Sequence, residues 1–214
     1  MRMNFDRQLD HLNIELIKMG SLCEEAIGKT GIILTQNDMT LIEQVFELEE
    51  QIDRKHREIE NLCMKLIMQQ QPVAGDFRIV SSTFKMISDL ERIGDQASDI
   101  AEILGYIGGK TSAVSAVIAD MARACIKMLT DSIDSFVKRD ADTAKKVMDY
   151  DDVVDDLFTK AKIEITEMIR NEPENGELCI DLLMIAKYFE RIGDHTTNIA
   201  EWVQYAVTGK YKEN

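Results

Sequence analysis

An acidic residue followed four positions later by aspartate occurs at four places that share one chemistry: Glu49 with Asp53, Glu91 with Asp95, Asp151 with Asp155, and Glu190 with Asp194. On a helix, residues four apart share a face, and like charges there repel by about 0.2–0.5 kcal/mol per pair. Four such pairs cost roughly 1–2 kcal/mol if nothing compensates them. A multivalent cation would do so and would also draw neighbouring helices together. Clustered carboxylate oxygens suit hard or borderline cations, so the candidates are Fe, Zn, Mn, Mg and Ca, and ligand type alone does not choose among them. The competing interpretation is a solvated acidic face with local ion pairs, in which Arg92 reaches Asp89 or Asp95 and Arg191 reaches Asp194.

The pairs belong to a repeat. LERIGDQASDIAE at residues 90–102 returns 99 positions later as FERIGDHTTNIAE at 189–201, and the Glu49 and Asp151 pairs lie 102 positions apart. Self-similarity at this spacing marks two copies of one structural unit. On a helical wheel Glu91, Asp95, Ser98 and Glu102 form one narrow stripe beside the apolar face of Ile87, Leu90, Gly94 and Ala101. The second copy gives Glu190, Asp194, Thr197, Asn198 and Glu201 the same layout. Asp99, Glu102, Asn198, Glu201 and His56 are therefore candidate additional ligands. His195 falls off the stripe, His11 has no evident partner, and the glycine of each RIGD suits a close approach of two helices.

Elements long enough to carry these stripes are legible. Helical spacing predicts helices over 5–36, 40–70 and about 75–106, then 112–139, 140–170 and 178–207. Asp38 is a plausible N-cap, Pro72 stops the second helix, and Gly105, Gly108 and Gly109 punctuate the third. Pro173 and Gly176 are expected to break the chain before the last. Helices of about 30 residues extend roughly 45 Å, and short connections make neighbours antiparallel. The expectation is an all-α protein, a tandem duplication of two three-helix bundles at 1–108 and 112–214. In such bundles each pair of acidic pairs would bring four carboxylates together.

Composition narrows the function. The chain is 45% hydrophobic with 2 prolines, which suits long helices rather than disorder. Its net charge is −14, divided as −8 and −6 between the halves on either side of Gly108. That argues against nucleic-acid backbone and anionic lipid, and permits cations and basic protein partners. No apolar run is long enough to span a membrane, and the first residues do not read as a signal peptide. Cys23, Cys63, Cys125 and Cys179 lack metal or redox spacing and read as buried free thiols of a reducing cytosol. Phosphate loops, GxSxG and zinc-protease motifs are missing. Asp53-x-x-His56 faintly resembles the Glu-x-x-His of di-iron bundles but has no second copy.

QQQPVAGDFRIV at residues 69–80, followed by the two ERIGD repeats, resembles the PhoU family of bacterial phosphate-signalling proteins across essentially the whole chain. The resemblance implies a tandem pair of three-helix bundles. It also implies a cytoplasmic, often dimeric negative regulator of the phosphate-starvation response, working with the phosphate ABC transporter and a sensor histidine kinase. It further implies multinuclear metal binding, which falls here on Glu49, Asp53, Glu91, Asp95, Asp151, Asp155, Glu190 and Asp194. Asp76 and Arg78 of PVAGDFR are candidate partner contacts, because the second copy has no such segment. The alternatives are a carboxylate-bridged di-iron enzyme and a metal-free helical scaffold.

Overall fold

Each helix begins and ends where the local chemistry stops the backbone. The computed structural model describes residues 2–70, 72–108, 110 and 114–210. Among them lie α1 (Arg2–Gln36), α2 (Leu41–Gln70), α3 (Ala74–Ile107), α4 (Val114–Lys138), α5 (Ala141–Asn171) and α6 (Gly176–Thr208). Asn37 takes the left-handed conformation after α1, and Asp38 accepts hydrogen bonds from the Thr40 amide and hydroxyl at 3.2 and 2.6 Å. Gly108, at φ 60°, closes α3 by donating its amide to the Leu104 carbonyl. Asp140 caps α5 by accepting from the Asp142 and Thr143 amides. Those amides and the Thr143 hydroxyl hold its carboxyl below the usual range.

Three expectations are corrected. Gly105 does not end a helix; it lies within α3, beside Ile42 of α2. Gly176 does not break the chain either. A 3-10 turn over Pro173–Asn175 runs straight into α6, and Gly176 is already helical at φ −56°, ψ −40°. Proline is tolerated there because the first turn has no use for its missing amide. Asp140 precedes α5 as its cap instead of belonging to it. The helix end expected at Gly109 and the helix start expected at Ser112 lie outside the described residues.

α1, α2 and α3 pack on one another, as do α4, α5 and α6. The two bundles are joined by α1 against α4 and α3 against α6. A methyl group placed on Gly20 would lie 3.0 Å from Ile133, and one on Gly31 would lie 3.4 Å from Ala122, so α1 and α4 run antiparallel with backbones close. Leu12, Leu16, Met19, Ile27, Leu90, Ile93, Ile118, Leu129, Ile185 and Phe189 belong to one apolar core that continues through both bundles. α2 and α5 lie on the outside of this arrangement. No helix is long and apolar enough to cross a membrane among the described residues.

Candidate metal centre

The glycines of the two RIGD segments decide how close the acidic pairs come. A methyl group on Gly94 of α3 would stand 3.0 Å from Ile52 of α2, and one on Gly193 of α6 would stand 3.0 Å from an Asp151 carboxylate oxygen and 3.3 Å from Val154 of α5. Only a residue without a side chain lets the helix pairs approach this far. The same turn is fixed from the other side. The buried Cys23 thiol donates to the Leu90 carbonyl at 3.3 Å, and its repeat counterpart Cys125 donates to the Phe189 carbonyl at 3.2 Å. Burial pushes both thiols well above the ordinary thiol range, so they serve packing rather than nucleophilic chemistry. All four cysteines are free and buried.

In the first bundle, Glu49 and Asp53 of α2 meet Asp95 of α3. One oxygen from each lies within 4.8 Å of the others, and all three groups are half-buried. Two oxygens on one cation at 2.3–2.6 Å stand no further apart than about 5 Å, so the trio fits half the shell of a hard cation, with water completing it. Burial, followed by the charges of Asp53 and Asp95, raises the Glu49 carboxyl above its ordinary value. A bound cation would reverse that. Glu91, the fourth expected carboxylate, faces His56 at 3.7 Å. Arg57 approaches Asp53 at 3.5 Å and Arg92 approaches Asp95 at 3.0 Å, which offsets part of the negative charge.

The second bundle is looser. Asp151, Asp155 and Asp194 interact electrostatically, and burial followed by the Asp155 and Asp194 charges pushes Asp151 up to about 6. Asp194 is also raised, first by burial and then by Glu190. Lys187 holds both oxygens of Glu190 at 2.5 and 2.6 Å. Among the described residues, only the Glu49–Asp53–Asp95 group has three ligand atoms within 4.8 Å of one another. The Thr197 hydroxyl lies beside Asp151 and partly counters its rise, yet forms no hydrogen bond of normal geometry.

The remaining candidates point elsewhere. Asp99 lies near Tyr188 and Arg191 of α6. Arg191 thus faces Asp99 and forms no ion pair with Asp194, correcting the expected pairing. Asn198 donates to Asp89 of α3 at 3.2 Å, and His195 approaches the same Asp89 oxygen at 3.0 Å. Asp89, His195 and Asn198 therefore tie α3 to α6 across the two bundles. Residue-by-residue reading missed these contacts, although a signal existed: His195 and Asn198 are where the second copy departs from Gln96 and Asp99 of the first. Glu102 is exposed and Glu201 half-buried, whereas Asp76 and Arg78 are half-buried near the start of α3. His11 lies 3.8 Å from Glu15.

The family model of the PhoU domain matches residues 16–104 and again residues 118–203, one match to each bundle. The chain belongs to the PhoU family. A phosphate-specific transport system accessory protein PhoU homolog from Clostridium acetobutylicum is 36% identical over 208 residues, covering 96% of this chain and 95% of the relative. A Thermotoga maritima homolog is 32% identical over 209 residues, covering 97% and 90%. The crystal structure of PhoU from Pseudomonas aeruginosa superposes with a TM-score of 0.91 at 32% identity, covering 96% of this chain and 100% of that one. The Streptococcus pneumoniae phosphate transport system regulatory protein PhoU gives 0.88 at 25% identity, covering 98% and 100%. Two PhoU units in one chain account for the 99- and 102-residue offsets and for the paired RIGD glycines.

Proposed function

We propose that this protein is an accessory and regulatory component of a phosphate-specific transport system. It acts in the cytoplasm as a non-enzymatic negative regulator of the phosphate-starvation response, relaying the state of the phosphate ABC transporter to a sensor histidine kinase. The observation that carries this reading is the similarity to phosphate-specific transport accessory proteins over nearly the full length of both chains. The expected result of deleting the gene is derepression of phosphate-starvation genes in high phosphate, restored by the intact gene on a plasmid. Unchanged repression in the deletion strain would overturn the proposal.

In this reading the protein forms a homodimer, and Asp76 and Arg78 belong to a surface that partners recognise. The carboxylate clusters bind cations that pin α2 to α3 and α5 to α6, with Glu49, Asp53 and Asp95 as the tighter set and Glu91, Asp151, Asp155, Glu190 and Asp194 as the looser one. A second reading, a metal-free scaffold, is favoured by Arg57 and Arg92, which already neutralise part of the first cluster. Elemental analysis of untagged protein purified without chelator separates the two. Less than about one metal per four chains favours the scaffold.

A further inference from the structure

The N-terminal part of α1, the start of α3 and the C-terminal ends of α4 and α6 converge on a cavity of about 170 Å³ shared by both bundles. Its polar lining is Asn13, Gly75, Asp76, Arg78 and Arg139. Two guanidinium groups against one carboxylate make it locally cationic in a chain of net charge −14. Neither arginine takes part in an ion pair among the described residues. The Arg78 Nε is buried and has no acceptor. A buried donor without an acceptor is costly, about 1–3 kcal/mol.

The start of α3 adds donors. Val73 at its N-cap carries no side-chain oxygen and makes no capping bond. The first amides of the helix therefore lack the usual intramolecular acceptor. Gly75, in that first turn, would meet nothing within 4 Å if it carried a Cβ, so the backbone there is open to a ligand. A long helix N-terminus, two arginines and an asparagine amide around one cavity match the chemistry of an oxyanion.

Asp76 would repel a fully ionised anion. It can accept a hydrogen bond only from one that still carries a proton. Hydrogen phosphate has such a proton near neutral pH, whereas sulfate has none. We propose that this cavity binds a small protonated tetrahedral oxyanion of the inorganic phosphate class, with Arg78, Arg139, Asn13 and the α3 amides as donors and Asp76 as the acceptor that rejects sulfate. The inference does not depend on the carboxylate clusters or on the proposed regulatory role.

The test is titration of the full-length protein with sodium phosphate and, separately, sodium sulfate, followed by calorimetry and by the NMR signals of the Gly75 amide and the Asn13 side-chain amide. Phosphate is expected to bind at least tenfold more tightly than sulfate and to shift both signals. R78Q and R139Q should each weaken phosphate binding at least tenfold, and D76N should admit sulfate. The D53N/D95N variant should leave phosphate affinity unchanged, which excludes capture by a cluster-bound metal. If the arginine variants fail to fold, the wild-type signals decide. Unshifted Gly75 and Asn13 signals at millimolar phosphate, equal affinity for sulfate, or loss of binding only in D53N/D95N would overturn the proposal.

Discussion

Gly193 of α6 lies so close to Asp151 of α5 that a methyl group on it would stand 3.0 Å from the Asp151 carboxylate oxygen. Helix packing and electrostatics are therefore one problem at this site. The glycine admits a close approach, the approach buries Asp151 beside Asp155 and Asp194, and burial with those charges pushes its carboxyl up to about 6. In the first bundle the equivalent Gly94 meets Ile52 instead, and the charge is gathered beside that contact by Glu49, Asp53 and Asp95.

Gly94→Ala and Gly193→Ala should each destabilise by about 1 kcal/mol, because overpacking of about 1–3 kcal/mol exceeds the helical gain of about 1 kcal/mol. Gly176→Ala is the contrast. That residue is helical with open space around its Cβ position, so it should gain about 0.4–1 kcal/mol. Urea denaturation of the three variants reads the difference. A neutral Gly94→Ala would remove the close-approach argument.

Asp151→Asn should raise the stability of chelator-treated protein at pH 7.5 by about 1 kcal/mol, the full shift being discounted because the group is partly exposed. The sign follows from a folded value of about 6 against an ordinary 3.8. Between those values the folded state keeps a proton that the unfolded state has lost, so stability falls as pH rises from about 4 to about 6. Above that window the penalty stays; below it there is none, and the variant should gain nothing at pH 3.5. Thermal unfolding at both pH values checks this.

Glu15 gives the opposite pH dependence. Hydrogen bonds from Lys18 at 2.8 Å and Lys55 of α2 at 2.7 Å hold this buried carboxyl down at about 2. Its contribution is present above the ordinary value of 4.5 and is lost as pH falls toward 2. Glu15→Gln should cost about 1–2 kcal/mol at pH 7 and nothing near pH 2, as read by denaturant midpoints.

Asp95→Ala combined with Asp194→Ala should lower metal content while leaving far-UV circular dichroism nearly unchanged, because both side chains lie at the edge of the core. Asp95→Ala alone should remove more metal than Asp194→Ala alone, since among the described residues only the first cluster brings three oxygens within 4.8 Å of one another. Wild-type metal content in the double variant would refute the ligand assignment.

A double-mutant cycle on Asp89→Ala and His195→Ala should give a coupling of about 1 kcal/mol, within the range for residues in direct contact. The pair, at 3.0 Å, links α3 to α6. Zero coupling would mean that the Asp89–His195 contact adds nothing to the joining of the bundles.

The chain order of apolar and acidic residues determined a great deal. Helical periodicity, Pro72, Gly108 and the ERIGD repeat fix six long helices in two copies, because those features act within a few residues of one another. The glycines' packing role and the adjacency of Glu49, Asp53 and Asp95 were also legible, since antiparallel neighbours bring matched repeat positions face to face. Sequence could not show that Glu91 turns to His56 or that Arg191 faces Asp99 across the bundles. Side-chain direction at a helix edge depends on which neighbour lies beside it, and only the packing of α2 on α3 and of α3 on α6 supplies those neighbours. The cavity shared by Asn13, Asp76, Arg78 and Arg139 is likewise a product of tertiary structure: its residues come from distant parts of the chain and meet because α1 packs on α4 while α3 packs on α6.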